Sequence, residues 1–544
     1  MIGGSMKSLL RQYGPSLLSG ALLALAFPKW GLHPAAWIAL VPLLVHMRGA
    51  SPKQAFGHFL VAGWVFNSLV LHWLAANVYW AGGWAIFGYQ ALCLILALFW
   101  GVTGMAWTLL RIRLPRMAGG VCFALLWAAM EFLQAHLFSG FGWCAVAYSQ
   151  GPNLPLAQWA AVGGAPLVSA MAAACNAWIA ASISGWIDGG ERRWFSTARP
   201  IACAGIMMAA AHGIGWWMLG EPDYTTRPFS AGIIQTNFSL EMKWDREYTA
   251  EMVRNAAQKS RWLAQHGPVD LFVWPEAAVM ANVDEPRIWP ELSGLVKDTK
   301  SYLFTGSGHE NEKTGGSPNA SCLIDPNGMV VDYYDKVHLV PFGEYVPFAK
   351  YLPFIQQVVP AIGDVEFGSE LKILKARGRS FGPLICFEVL YANLAERLRR
   401  MGADFLVVIT NLGWFGQSSA IPQEFELARM RAIETRLPLV HCANTGISGV
   451  FDPWGRFTPV AGVFGPSGMY ANYAGRLTTE QTIMQRLAAS LPVPAPAKRP
   501  VPYGPAAFPW MALGVSVLIF LYGVFRPKEG SHPPRPRSRR KERA

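Results

Sequence analysis

The chain has 544 residues, 52% of them hydrophobic and only 15% charged, with 23 Trp and 30 Phe. Soluble globular chains carry about 25% charged residues, so the composition excludes a wholly soluble protein, and the length exceeds one ordinary domain. The 46 Lys and Arg outnumber the 34 Asp and Glu, a net charge of +12, and where those cations lie decides what the excess means.

The missing charge is concentrated in residues 13–219 and 507–525. A membrane-spanning helix needs roughly 20 apolar residues. Clear candidates are Phe59–Val78, Trp84–Leu110, Gly120–Leu137, Trp159–Ile187, Ile201–Leu219 and Phe508–Phe525. Two shorter runs, Tyr13–Phe27 and Pro34–Met47, are interrupted or bounded by Pro. The expectation is an α-helical membrane bundle of about eight spans, seven before a central region and one after it. Lys7 and Arg11 followed by an apolar stretch imitate a secretion signal, but Pro28-Lys29-Trp30 is a poor cleavage site, so this segment is expected to be retained.

Orientation follows from the short loops. One set carries Lys7 and Arg11, Arg48 and Lys53, Arg111, Arg113 and Arg116, then Arg192, Arg193 and Arg199. The alternate loops carry Lys29 and otherwise none in 79–83 or 138–156. Both termini are thus expected in the cytoplasm and residues 220–506 on the opposite face. The net charge is mostly this topology signal. The basic tail, Arg526 to Arg543, lies next to a span and suits anionic lipid headgroups better than nucleic acid.

Residues 220–491 alternate β-rich runs with amphipathic stretches, which argues an α/β domain. Strands are expected at Ala231–Ile234, Leu271–Trp274, Tyr302–Thr305, Ser321–Ile324, Val330–Tyr334, Leu384–Ile385, Phe405–Thr410 and Leu439–His441. Helices are expected at Tyr248–Gln265, Leu390–Arg400 and Glu424–Thr435. Asp325-Pro326-Asn327-Gly328 between two strands has hairpin-turn chemistry. Residues 492–506 are Pro-rich, a semi-rigid linker to the last span. Of eight Cys, five lie in or beside the spans and three in the central region. An odd number there leaves at least one free thiol in an oxidising compartment. No spacing suits zinc, and no metal or cofactor is expected.

Three residues in that region bear chemistry. Cys386 lies in Leu384-Ile385-Cys386-Phe387-Glu388. A buried Cys is ordinarily a small apolar side chain. If the strand continues, Glu388 shares its face, which is costly in a core and sensible in a site. Glu276 ends the run Leu271-Phe272-Val273-Trp274-Pro275, where α/β sites are built; a helix beginning at Ala277-Ala278 would instead make it a helix N-terminal acid. As a base it would take the Cys386 proton, since the thiolate is the nucleophile. Lys336 begins an apolar, aromatic stretch in which Glu344 is an isolated acid. A fixed ammonium stabilises a tetrahedral oxyanion, and Glu344 is expected to pair with Lys336 or to position Glu276. The rival arrangement pairs Cys386 with His338 or His441, but neither carries the local signature of that class.

The order Trp274-Pro275-Glu276, Tyr334-Asp335-Lys336 through Phe348, Ile385-Cys386-Phe387-Glu388 and Asn411-Leu412-Gly413-Trp414-Phe415-Gly416, set between spans, resembles the apolipoprotein N-acyltransferases, membrane members of the nitrilase superfamily. Further matches are Gln235-Thr236-Asn237, Lys243-Trp244-Asp245, Phe138 to Trp143, and Tyr148-Ser149-Gln150. The resemblance covers nearly the whole chain. It implies an αββα nitrilase-type sandwich on a membrane base. It implies a base at Glu276, an oxyanion Lys at Lys336 and a nucleophile at Cys386, supported by Glu344 and Glu388. Trp244, Trp414 and Phe415 match aromatic positions around the mouth of that family's site, though core packing would account for them equally. It implies domains at 1–219 (seven helices), 220–491 (catalytic, periplasmic), 492–506 (linker), 507–525 (last span) and 526–544 (cytoplasmic tail), in a bacterial inner membrane. Five positions depart from the family pattern: Gly142, Leu412, Gly413, Gln417 and Glu424, the last in place of the His of a Gln-His pair.

The residues by themselves predict a thioester at Cys386 and transfer to a second nucleophile, with the membrane base pointing to a lipid donor. The resemblance implies a phospholipid donor and, as acceptor, the α-amino group of a diacylglyceryl-cysteine on a prolipoprotein. A membrane-tethered amidase or nitrilase would use water instead. A transporter would need paired charges along the spans, where only Glu131 and a few His occur.

Overall fold

The computed structural model describes residues 2–78, 82–188, 194–226, 228–245, 247–310, 315–346, 365–416, 418–460, 488–497 and 507–525. Gln417, Pro347 and Phe348 of the motifs above lie outside them, as do residues 498–506 of the linker and the basic tail.

Four of the described helices are long and apolar enough to cross a membrane: Trp84–Arg111, Arg116–His136, Ala160–Asp188 and Thr197–Met218. They are accompanied by the helices Ile2–Leu25 and Pro52–Val70 and by the apolar helix Ala507–Phe525. Two expected spans differ from their sequence outline. Over 34–47 the chain forms a 3-10 turn, His33–Trp37, and a six-residue helix, Val41–His46. Pro34 and Pro42 start these short pieces, where a missing N–H costs little. The run 59–78 is also divided. Its helix begins earlier, at Pro52, behind a Ser51/Gln54 capping box, and stops at Val70, before a 3-10 turn, His72–Asn77.

Close packing in this bundle depends on small residues, as expected where lipid offers helices no hydrophobic drive to associate. Gly63 lies under the Trp100 ring, and Gly101 and Gly104 lie under Phe56 and Phe59, which draws Pro52–Val70 against Trp84–Arg111. Outward-facing Trp84, Phe87, Ile206, Trp216, Trp217, Trp510 and Leu518 remain exposed, an apolar surface that suits lipid.

The central region folds as two facing sheets. The first contains β1 (Ser230–Ile234), β2 (Leu271–Val273), β3 (Val279–Asn282), β4 (Tyr302–Gly308), β5 (Asn319–Ile324), β6 (Val330–Asp335) and the late strand β13 (Ala488–Pro492). Its order is β13-β1-β2-β4-β5-β6, with β3 paired to β4. The second contains β7 (Leu374–Ala376), β8 (Arg379–Ile385), β9 (Phe405–Thr410), β10 (Leu439–Ala443), β11 (Gly449–Phe451) and β12 (Phe457–Pro459), in the order β12-β11-β10-β9-β8-β7. Each has a parallel centre, β1-β2-β4 and β8-β9-β10, with antiparallel flanks.

Side-chain alternation builds the layers. In the first sheet Ala231, Ile233, Leu271, Val273, Phe304 and Leu323 join the core shared with the second sheet. Their neighbours Ile234, Phe272, Trp274, Leu303, Cys322 and Ile324 pack with the helices Thr249–His266 and Trp289–Thr299. Phe304 meets Phe381 and Phe229 meets Phe405 between the sheets, each at 5.2 Å. The helices Ala392–Arg400 and Ala420–Thr435 lie against the second sheet. This is the αββα sandwich. All eight expected strands are present, and so are the three expected helices. The short strands β3, β7 and β11 to β13 and the helices Leu240–Trp244 and Trp289–Thr299 were not anticipated. The described start of the linker is not free either. Arg379 donates to the carbonyls of Val493 and Pro494, and Ala497 N donates to Arg436 O.

A Cβ on Gly104 would come within 2.4 Å of the Phe59 ring, whereas one on Gly88 of the same helix meets nothing within 4 Å. Gly104→Val should therefore destabilise the bundle by about 1–3 kcal/mol, while Gly88→Val should be nearly neutral. Thermal unfolding of the full chain in detergent reads the difference. Equal midpoints would mean that the two helices do not pack in this way.

Candidate active site

Three loops beyond the C-terminal ends of β2, β6 and β8 converge between the sheets. Cys386 follows β8 directly and has φ of 52°, a left-handed conformation that a residue with a side chain adopts only when its surroundings impose it. The chain then winds into a 3-10 turn, Cys386–Leu390. This corrects the expectation that Cys386 and Glu388 share a strand face. The strand stops at Ile385, and Glu388 turns back beneath it.

Glu388 is completely buried. Its Oε2 accepts from Ile385 N at 2.8 Å, and its Oε1 accepts from Val337 N at 2.9 Å and His338 N at 3.1 Å. The Tyr334 hydroxyl reaches both oxygens at 2.9 Å. Burial pushes this carboxyl up to about 7. Three of the four partners are backbone amides that can only donate, and their hydrogen bonds to both oxygens oppose that rise. Glu388 thereby ties the Cys386 turn to the Lys336 loop.

Lys336 is 1% exposed. Its Nζ lies 2.9 Å from Glu344 and 3.8 Å from Glu276 Oε1. Burial alone would lower the ammonium, but Glu344, then Glu276 and Cys386, outweigh it and hold Lys336 above its ordinary range. The same pairing acts on Glu344. Burial pushes its carboxyl up, and Lys336, Asn319 and the Val340 amide together bring it below the usual value. Asn319, at the start of β5, donates to Glu276 Oε1 at 3.0 Å and to Glu344 Oε1 at 2.7 Å. Its amide therefore fixes the spacing of the two acids around the lysine. Both expectations for Glu344 hold, the second through Asn319.

Glu276 does not open a helix. Ala277 has φ of 51° and the chain proceeds into β3. The close approach of β4 shapes this corner: a Cβ on Gly306 would lie 2.8 Å from Glu276 Cα and 2.5 Å from Ala277 N. Lys243, 2% exposed, donates to the Glu276 carbonyl at 3.0 Å, and its burial lowers it to about 7. Burial also pushes the Cys386 thiol well up, Glu276 adds to the rise, and Lys336 opposes it. Among the described residues neither candidate His hydrogen-bonds Cys386. His338 packs on Tyr391 at 3.6 Å, and His441 Nδ1 meets Ile447 O.

The aromatic positions separate. Trp244 ends the helix Leu240–Trp244, and its side chain lies outside the described residues. Trp414 and Phe415 are half-buried in the 3-10 turn Leu412–Phe415. Phe415 meets Trp73 of the membrane base edge-on at 4.6 Å. Trp73 meets Trp143 at 5.0 Å, and Trp143 stacks on Phe387, the residue after Cys386, at 5.2 Å. Gln423 holds both indoles. Its Oε1 accepts from Trp73 at 2.9 Å and from Trp143 at 2.8 Å, while its Nε2 donates to the carbonyls of Val70 and Pro28. Sequence reasoning gave no role to Asn319 or Gln423. The polar start of an apolar strand was the only signal for Asn319.

Two family models match the chain: the apolipoprotein N-acyltransferase N-terminal domain over residues 19–178, and carbon-nitrogen hydrolase over residues 230–471. The chain is 35% identical over 453 residues to the apolipoprotein N-acyltransferase of Geobacter metallireducens, covering 82% of this chain and 86% of that one. It is 30% identical over 461 residues to that of Gloeobacter violaceus, covering 81% and 84%, and 31% identical over 474 residues to that of Agrobacterium fabrum, covering 81% and 86%. Identity at this level, sustained along most of both sequences, makes the chain a member of the apolipoprotein N-acyltransferase family.

Proposed function

We propose that this chain moves a fatty acyl group from a membrane phospholipid to Cys386, and from there to the α-amino group of the diacylglyceryl-cysteine that begins a lipoprotein. The observation that carries the reading is the junction of a Glu–Lys–Cys cluster with an aromatic layer, Phe387, Trp143, Trp73 and Phe415, that continues into the membrane base. Names of relatives supply the lipoprotein acceptor.

In the first half-reaction Glu276 takes the Cys386 proton and the thiolate attacks the ester carbonyl. Lys336, held charged by its two acids, stabilises the oxyanion. The ester C–O bond breaks, and Glu276 returns the proton to the departing lysophospholipid oxygen. In the second, the neutral amine attacks the thioester carbonyl, Glu276 takes its proton, and the C–S bond breaks as the proton returns to sulfur. Water has no advantage over the amine in nucleophilicity, and the apolar wall beside Cys386 limits its access; a tethered amidase is the competing reading. Residues 220–491 act on the periplasmic face of a bacterial inner membrane, with both termini and the tail 526–544 in the cytoplasm, as the one-sided Lys and Arg distribution implies.

Phospholipid alone should add one acyl mass to Cys386 and release lysophospholipid, as intact-mass analysis reads it. A diacylglyceryl peptide with a free amine should then discharge the adduct, and a blocked amine should leave it standing. Cys386→Ala should form no adduct, and Glu276→Gln and Lys336→Met should slow its formation by about 10²–10³. Discharge at one rate with or without the peptide would establish the amidase instead. For orientation, a cytoplasm-active reporter should be silent at Gly315 and active after the tail. The opposite pattern would remove the lipoprotein from reach.

A further inference from the structure

The two half-reactions use Glu276 and Lys336. A second buried group lies along β9, the strand next to the one that ends at Cys386. Glu424, from the helix Ala420–Thr435, and His441, from β10, are each 1% exposed, and Thr410, the last residue of β9, is fully buried. Thr410 Oγ1 donates to Glu424 Oε1 at 2.8 Å. Glu424 Oε2 lies 3.6 Å from His441 Nε2, and neither of these two atoms has a hydrogen-bond partner among the described residues.

The far side of the imidazole decides what lies between them. His441 Nδ1 is 2.7 Å from the carbonyl oxygen of Ile447. A carbonyl only accepts, so Nδ1 carries a hydrogen. A neutral ring would then point the bare Nε2 lone pair at a bare carboxylate oxygen. Two unpartnered acceptors facing each other in a buried site are costly, and one proton between them converts the contact into a charge-assisted hydrogen bond. With that proton the pair is neutral overall, whichever atom carries it.

The Thr410 hydroxyl has one hydrogen, which it donates to Glu424 Oε1. Thr410 also stands next to Cys386, since Ile409 pairs with Ile385 on the neighbouring parallel strand, so a Cys386 thiolate is the second acceptor open to it. We propose that Glu424 and His441 share a stored proton behind the nucleophile, and that this store frees Thr410 to turn its hydroxyl onto the Cys386 thiolate. The inference rests on the reading of Cys386 as the nucleophile. When the thiol proton passes to Glu276, Thr410 rotates from Glu424 to sulfur. The shared proton shifts from His441 towards Glu424, which has just lost a donor. No proton enters or leaves; when the thiol is restored, each returns. In this relay Thr410 supplies the hydrogen bond to sulfur, and Glu424 and His441 are positioning residues that act through it. The charged groups that face Cys386 are Glu276 beyond β2, Lys336 beyond β6, and Glu424. A permanently charged Glu424 would oppose the thiolate, and the stored proton removes that opposition.

Iodoacetamide alkylation of Cys386 reports thiolate formation without any lipid. It is followed by peptide mass on the full-length protein in detergent at pH 8, with Cys386→Ala as the blank. Thr410→Val removes the hydroxyl at constant shape and should slow alkylation about tenfold, the effect of one hydrogen bond to a charged group. Thr410→Ser keeps the hydroxyl and should recover most of the rate. Glu424→Gln still accepts from Thr410 and still donates to His441 but cannot take up a proton, so it too should be slower, by about tenfold. Because both act through one relay, the double variant should be no slower than either single one. Wild-type alkylation in Thr410→Val, or losses that multiply in the double variant, would overturn the relay. If Val at 410 prevents folding, Thr410→Ala against Thr410→Ser makes the same comparison. Should the alkylation pattern hold while phospholipid forms no acyl adduct, the relay stands and the acyltransferase reading of Cys386 falls.

Discussion

The site depends on one buried cation. Lys336 has almost no contact with water, and an isolated ammonium in that position would cost several kcal/mol. Glu344 and Glu276 neutralise it, and Asn319 ties the two acids to each other. That arrangement can form only if the loops after β2 and β6, the start of β5 and the 340–344 segment come together in one geometry. Glu388 extends the constraint by accepting amide hydrogens from both the Lys336 loop and the Cys386 turn. The Cys386 thiol is therefore placed by an electrostatic requirement that lies outside its own strand.

The same logic joins the catalytic sandwich to its membrane base. One helix, Ala420–Thr435, supplies most of the polar links. Glu434 accepts from Ala165 N at 2.8 Å, the first amide after the kink at Gly163 and Gly164, whose φ of 69° at Gly164 suits a residue without a side chain. Arg431 pairs with Glu434, donates to the carbonyls of Val389 and Leu390 in the Cys386 turn, and reaches the Tyr148 hydroxyl. Gln423, with all its hydrogen-bonding capacity used, orients Trp73 and Trp143. Buried polar groups that hold one another specify one arrangement and tolerate few others. The Cys386 turn and the helices of the base are thus parts of one polar network, and the aromatic wall of Trp73 and Trp143 is held beside Phe387.

Much of this was legible in the residues. Strands of the sandwich announced themselves as short β-branched runs between turn signals, and Glu276, Lys336 and Cys386 each stood at the end of one. Periodicity failed where the backbone left its regular course. Cys386 and Glu388 looked like neighbours on a strand face because nothing in Ile385-Cys386-Phe387-Glu388 announces a left-handed φ. The strands β7, β11 and β12 have three residues each, too few to display a period by themselves, and β13, Ala488–Pro492, is made of Ala, Ser, Leu and Pro, with no β-branched or aromatic residue to mark it as a strand. Pro34 and Pro42 read as interruptions of a span, whereas they begin short helical pieces.

By itself the sequence determined the composition of the layers, the apolar stretches of the base and the placing of Glu276, Lys336 and Cys386 at the ends of strands, because these follow from hydrophobic period and side-chain type. Only the tertiary structure decided which polar groups meet. Asn319 lies 43 residues from Glu276, Gln423 lies 350 from Trp73, and His441 faces Glu424 across two different elements. Such contacts arise when sheets stack and a helix docks on the bundle. No local pattern encodes them, since each partner is an ordinary polar residue until burial leaves it a single place to hydrogen-bond.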